Sequence, residues 1–273
     1  MTIDQITDAI REVLDAGSRA VLITVAQSER LAVGGKMLVK ANGESVGDLG
    51  DPELNRVAVE QANAFLTVRE EAKMLGVSDF APELSELCDM SLLFERIETE
   101  PHLVIAGAGH VGASLARLAA LIGYRVTLID DRAEFVAREL FSSTSDANIE
   151  LISASDWAAS IKEAIDNGRG VAVAIVTRGH KQDEECLRAA SSASPDYMGM
   201  IGSKRRTNIV LDKLREEGFD PQILKRVRAP IGLDIGAVSP EEVAIAILAE
   251  IVAERRGGSG APLSVWRRTK LKD

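Results

Sequence analysis

The sequence predicts an α/β chain, with a doubly wound parallel sheet over residues 98–257 and a smaller α+β domain before it over 1–97. Three observations carry this. From Leu103 onward, short apolar runs alternate with helical patterns, as in a parallel sheet covered on both faces. The stretch "HLVIAGAGHVG" sets Gly107, Gly109 and Gly112 at G-x-G-x-x-G spacing between a strand and a helix. The residues before "ETEP" instead contain an Asn42-Gly43 hairpin signal, and "ETEP" is the expected boundary.

The elements follow in order. "TIDQITDAIREVLDAG" places Ile3, Ile6, Ile10, Val13 and Leu14 on one helical stripe and stops at Gly17. "RAVLITVA" is a strand, and "KMLVK" and "ESVGD" flank the hairpin. "DPELNRVAVEQANAFLTVREEA" is helical, with Asp51 as N-cap and Pro52 at the first position, and "DMSLLFERIE" returns to strand. The second domain then reads strand "LVIAG", helix 110–122, strand "RVTLID", a short helix near 134–140, a strand at "IELIS" and helix 155–167. Strand "GVAVAIVT", helix 181–193, strand "YMGMIG" and helix 204–217 complete the alternation. The last helix opens on Ser239, Pro240 and Glu242, a capping box, and ends at Gly257. Residues 258–273 are Gly-rich, then basic, and read as a loosely held tail.

Composition narrows the function. The net charge of -10 is unevenly spread: residues 1–100 hold nine Lys or Arg against nineteen Asp or Glu, and residues 101–273 hold twenty-three of each. Nucleic acid and anionic lipid both need a concentrated basic surface, so neither is an expected partner. An anionic small ligand would rest on the second domain, leaving the acidic one to meet a protein. No run is long enough to span a membrane and the N-terminus is acidic, so a cytoplasmic location is expected. Cys88 and Cys186 are too few for a disulfide framework or a cysteine zinc site, and no metal site is expected.

The glycines give a Rossmann-like site. Gly107 permits the tight turn, Gly109 lets backbone approach a phosphate, and Gly112 allows close helix packing. The helix start offers N–H groups and a partial positive charge to that phosphate. Asp130, with Asp131 beside it, stands where a ribose hydroxyl would be bound, and Arg132 follows. Ligands lie beyond the carboxyl ends of such strands, so "TRGHKQD" (Thr177, Arg178, His180, Asp183) and "GSKRR" (Gly202, Ser203, Lys204, Arg205, Arg206) converge there, with Asp234 at the same edge. Cations beside a helix's positive end imply an intervening anion, so Ser203 and Lys204 mark a second phosphate-like site. His110 and His180 are candidate acid or base groups. The chain has no H-E-x-x-H, no Ser-centred nucleophile elbow and no evident set for hydride transfer. One reading open to these residues is an NAD(P)-dependent oxidoreductase; the other holds a phosphorylated ligand without redox work.

The motifs "HLVIAGAGHVG", "TLIDDR", "YMGMIGSKRR" and "APIGLDIGAVSPEEVAIAILAEIVAERRG", in this order, resemble the C-terminal domain of the XdhC/CoxI family, the xanthine dehydrogenase accessory factors. "AVLITVA" and "GGKMLV" are similar to that family's N-terminal domain. The resemblance implies a maturation factor rather than a catalyst. It would bind molybdenum cofactor, as molybdopterin or its dinucleotide form, and deliver it to an apo molybdenum hydroxylase of the xanthine dehydrogenase or carbon monoxide dehydrogenase type. It also implies a sulfurtransferase as a further partner and a homodimer. The ligand residues carried over are Gly107, Gly109, His110, Gly112 and Asp130, then Asp131, Ser203 and Lys204. The chain departs from the family's Ser-Pro-Arg and Gly-Gly-Cys-x-Glu segments, reading "SERLAVGGKMLV" and "VGDLGDPELN" there. A thiolate is the natural soft ligand for molybdenum or sulfur, and Cys88 does not occupy that place.

Overall fold

A computed structural model describes residues 3–68, 70–166 and 170–264. They fall into two compact units, Met1–Thr99 and Glu100–Asp273. The basic end of the tail, residues 265–273, lies outside the described residues.

The first unit runs α1 (Ile3–Asp15), β1 (Arg19–Gln27), β2 (Lys36–Lys40), β3 (Ser45–Asp48), α2 (Pro52–Thr67), β4 (Ala72–Gly76), α3 (Val77–Phe80) and β5 (Ser91–Glu98). Its strands form an antiparallel sheet in the order β3-β2-β1-β5-β4. Alternation along β1 decides which helix covers which face. Ala20 joins Ile6, Ala9 and Val13 of α1, while Val21, Ile23 and Val25 join Leu54, Ala58 and Phe65 of α2. The hairpin forms at Asn42-Gly43, with Gly43 at φ +89°. The expected helix over 51–72 stops early, and residues 72–76 pair as a strand instead. The cause is distant in sequence. Arg96 of β5 donates to the carbonyls of Phe65, Val68 and Glu70, meeting the helix's last acceptors where continued helix would otherwise have done so.

The second unit runs β6 (His102–Ala106), α4 (His110–Leu121), β7 (Arg125–Asp130), β8 (Ile149–Ser153), α5 (Trp157–Ile165), β9 (Val171–Ile175), α6 (His180–Ala193), β10 (Tyr197–Met200), α7 (Lys204–Glu216), α8 (Pro221–Arg226) and α9 (Pro240–Arg256). All strands are parallel, in the order β10-β9-β6-β7-β8. Leu103 and Ile105 pack with α4 and α9 on one face; Val104 and Ala106 pack with α5, α6 and α7 on the other. The helix expected near 134–140 is replaced by three 3-10 turns, Ala133–Phe135, Arg138–Phe141 and Thr144–Asn148. Two arginines hold that crossover. Arg138 donates to the carbonyls of Ile149 and Asp146, and Arg117 donates to Leu140 O with its guanidinium 4.8 Å from the Phe141 ring centre.

A polar line, buried at His102 and Thr127, crosses the start of the parallel sheet. Arg125 Nη2 lies 3.0 Å from His102 Nδ1, and Arg can only donate, so Nδ1 accepts and Nε2–H faces Thr127 Oγ1 at 2.9 Å. Thr127 in turn donates to Glu150 Oε2 at 2.9 Å. Burial, and then the Arg125 charge, push His102 down from 6.5 to about 4. The unfolded chain therefore takes up this proton before the folded one does. The stability tied to neutral His102 is present above pH 6.5 and falls away towards pH 4, by at most about 1.4 kcal/mol per pH unit. Urea unfolding across that window is expected to show the loss, and H102Q, which has no such proton to bind, is expected to flatten it.

Candidate functional site

Read from its other edge, the parallel sheet has the order β8-β7-β6-β9-β10, and the direction of winding reverses between β6 and β9. A crevice opens beyond the carboxyl ends of two such strands. β6 delivers Gly107–Gly109 and the start of α4 to that edge; β9 delivers Val176–Gly179 and the start of α6.

The three glycines are there for different reasons. Gly107 sits at φ +110°, and a Cβ on it would come 2.6 Å from Val176 O and 2.9 Å from Thr177 Cα. A Cβ on Gly112 would overlap the Gly107 carbonyl, so this glycine sets how closely α4 approaches the turn. Gly109 differs from both. Its φ of -65° and ψ of -175° suit any residue, and a Cβ there would meet nothing within 4 Å. The protein's own packing does not require glycine at 109. The open space lies against the first N–H groups of α4, whose N-cap supplies no side chain to them.

Asp130 is almost fully buried and accepts four hydrogen bonds. Oδ2 receives Ala108 N–H (2.7 Å) and Arg132 Nη2 (2.9 Å); Oδ1 receives Arg132 N–H (3.0 Å) and Arg132 Nε (2.8 Å). Burial opposes the ionised form, yet the guanidinium and the two N–H groups hold the carboxyl below its ordinary value. A carboxylate has about four lone-pair positions, so the ribose-binding position expected for Asp130 is already filled from inside the protein. Asp131 is exposed and pairs with Arg178 at 3.0 Å. Because β6 lies between β7 and β9, this pair spans the glycine turn.

At the next strand end, Asp183 of α6 is fully buried. It accepts from Thr177 Oγ1 at 2.5 Å and pairs closely with Arg206 of α7. Burial raises its pKa against the opposing pull of Thr177 and Arg206. The anion expected beside the cations of α7 is thus, for Arg206, a side chain of the same chain. Ser203 spends its hydroxyl oxygen as N-cap, accepting from Arg206 N at 3.3 Å. Lys204 and Arg205 are exposed and make no ion pair among the described residues. His110 and His180 open α4 and α6, both exposed, and neither imidazole hydrogen-bonds to a side chain among the described residues. Asp234 is exposed in the loop before α9. Cys186 is fully buried, and burial pushes its thiol up.

In the first unit, the segments that depart from the family pattern are tied by polar side chains. Ser28 Oγ accepts from the N–H groups of Arg30 and Leu31, and Asp48 accepts from Gly50 N and Asn55 Nδ2. Nearby, a cavity of about 400 Å³ is lined by residues that include Arg30, Asp51, Glu53 and Glu86. Cys88 is exposed, following the 3-10 turn Ser85–Leu87.

A parallel sheet with this winding and a glycine turn opening on the start of a helix define a Rossmann-type domain. The model of the XdhC Rossmann domain matches residues 103–251, and that of the XdhC and CoxI family matches 13–75. The chain belongs to the XdhC and CoxI family. It is similar to the protein YqeB of Escherichia coli K12 (31% identical over 229 residues, 82% of this chain and 41% of that protein). It is also similar to a probable xanthine dehydrogenase subunit of Bacillus subtilis 168 (30% over 166 residues; 61% and 46%) and to the molybdenum cofactor insertion chaperone PaoD of E. coli K12 (27% over 153 residues; 56% and 40%). The chain spans less than half the length of each of these curated relatives. The crystal structure of a xanthine dehydrogenase from Bacillus halodurans shares the fold, with a TM-score of 0.62 at 21% identity over 94% of this chain and 68% of that one.

Two substitutions separate the turn's structural glycine from its open one. Gly112→Ala is expected to cost about 3 kcal/mol or more in urea unfolding, because two backbones would have to part. Gly109→Ala is expected to stay within about 0.5 kcal/mol of the parent. Separately, Asp183→Ala leaves Arg206 without its buried partner and is expected to cost about 3–5 kcal/mol.

Proposed function

We propose that this chain is a maturation factor that holds molybdenum cofactor by its phosphate-bearing end at the β6–α4 turn. It would present the cofactor to an apo molybdenum hydroxylase of the xanthine dehydrogenase type. The observation that carries the reading is the open space at Gly109 against the α4 N–H groups, in a chain of the XdhC and CoxI family. The name of the relative PaoD supports the cofactor, and that of the B. subtilis relative supports the class of partner.

The donors suit a phosphate or pyrophosphate: backbone N–H groups at a helix start, with the Arg178 guanidinium at the rim. They do not include a thiolate for the metal, since Cys186 points into the core of its unit. The bound group supplies redox chemistry only after delivery, in the hydroxylase. What this chain's residues do is bind and orient. Asp130 fixes the turn, Gly109 leaves room, and Arg178 can exchange Asp131 for a phosphate oxygen. The reading also calls for a second copy of the chain and, where sulfur is added, a sulfurtransferase as partners. The oxidoreductase alternative would need an acid or base held in place, and neither His110 nor His180 is so held among the described residues.

Native mass spectrometry of protein purified from cells that make molybdenum cofactor tests the reading. The parent chain is expected to carry a molybdopterin-sized adduct and Gly109→Val to lose it while keeping the parent's thermal midpoint. An adduct retained by Gly109→Val, or NAD(P) bound in its place, would overturn the assignment.

A further inference from the structure

The structure holds one guanidinium in an unusual setting, just after β7. The Arg132 guanidinium carbon sits 3.6 Å from the centre of the Phe135 ring, so the ring covers one of its faces. Its Nε and Nη2 edge is locked in plane by the two oxygens of Asp130, at 2.8 and 2.9 Å. The side chain is still 26% exposed. A planar cation backed by an aromatic ring and fixed along one edge can take a partner through its opposite face or at its remaining Nη1 edge. Having already lost its rotamer freedom, it can stack on a flat ring with little further ordering.

Its position relates it to the glycine turn. The oxygen that takes Arg132 Nη2 is the one that takes Ala108 N–H, so a single carboxylate oxygen joins this platform to the turn. We infer that Arg132 and Phe135 form a stacking subsite for the nucleobase of a nucleotide whose phosphate lies at Gly109. This rests on the phosphate site proposed above and extends it, because it makes the nucleotide-bearing form of the cofactor the preferred ligand. Arg132 is a binding residue here, and Asp130 is a positioning residue acting through it.

Calorimetric titration of the full chain with cytidine 5′-monophosphate and with ribose 5-phosphate, which share the phosphate and differ by the base, tests the subsite. The parent is expected to bind the nucleotide about tenfold more tightly, a typical gain for one base stacked on a planar cation or ring. R132K keeps the charge but loses the flat face, and F135L keeps the Asp130 pair but removes the backing ring. Both are expected to bring the ratio close to one, and F135L, which leaves the Asp130 pair in place, is expected still to bind ribose 5-phosphate. A ratio near one in the parent, or one that survives in both variants, would overturn the subsite while leaving the phosphate site standing. Displacement of the nucleotide by free pterin at equal concentration would reassign the platform to a pterin ring and so overturn the nucleobase. If neither phosphate ligand binds the parent, both this inference and the phosphate site fall.

Discussion

The second unit's ligand-facing edge depends on one buried carboxylate. Asp130 ends β7, yet its side chain reaches under the neighbouring turn to take the Ala108 N–H. Burying an ionised carboxyl is costly unless every lone pair is met, and here the two backbone N–H groups and the Arg132 fork meet them. The consequence is mechanical. The turn after β6 is fixed to the adjacent strand, so the open space at Gly109 and the start of α4 keep one orientation. Asp183 repeats the device on the other side of the crevice, tying the end of β9 to α7 through Thr177 and Arg206. Two acidic residues thereby serve the architecture of a site whose expected ligand is an anion.

That arrangement explains how this edge of the sheet carries acids so close to the glycine turn. Asp130 and Asp183 are each paired with an arginine, and Asp131 is paired with Arg178 across the turn. In the first two pairs the carboxylate is buried; the third is exposed and worth less than about 1 kcal/mol, so an arriving phosphate can compete for Arg178. These three pairs therefore cancel their own charges at the edge. Lys204 and Arg205, exposed at the start of α7, add positive charge to the same edge without a partner to cancel it among the described residues.

How much of this was legible follows from how local each signal is. The Asn42-Gly43 hairpin, the Asp51-Pro52 start of α2, the Ser239–Glu242 capping box and the alternation of apolar strands with helices depend on neighbours within a few residues, and all are present. The early end of α2 was not legible, because its cause is Arg96, 31 residues beyond Phe65. Nor was the irregular crossover after β7, held by Arg117 and Arg138 from different elements. The same limit applied within the site. The G-x-G-x-x-G spacing located the turn, but only the backbone geometry distinguishes Gly112, which packing requires, from Gly109, which it does not. The cations of α7 pointed to an anion, and for Arg206 periodicity could not reveal that Asp183 supplies it from 23 positions away.

The chemistry of the two ends of the expected ligand completes the argument. Under the proposed function, backbone N–H groups, one exchangeable arginine and one stacked guanidinium would grip a phosphate and a base with interactions of a few kcal/mol each, all reversible on binding timescales. A cysteine thiolate on the metal would add a far stronger bond. In this chain the segment where the family resemblance leads one to expect a cysteine holds the Asp48–Asn55 hydrogen-bonded turn, Cys88 lies elsewhere in the first unit, and Cys186 is sealed in the core of the second. A carrier built this way would hold its cargo by the end that does no chemistry and leave the reactive end free of its own ligands. Under the proposed function, handing over the cofactor would then require breaking hydrogen bonds and a stacking contact, and no metal–sulfur bond to the carrier.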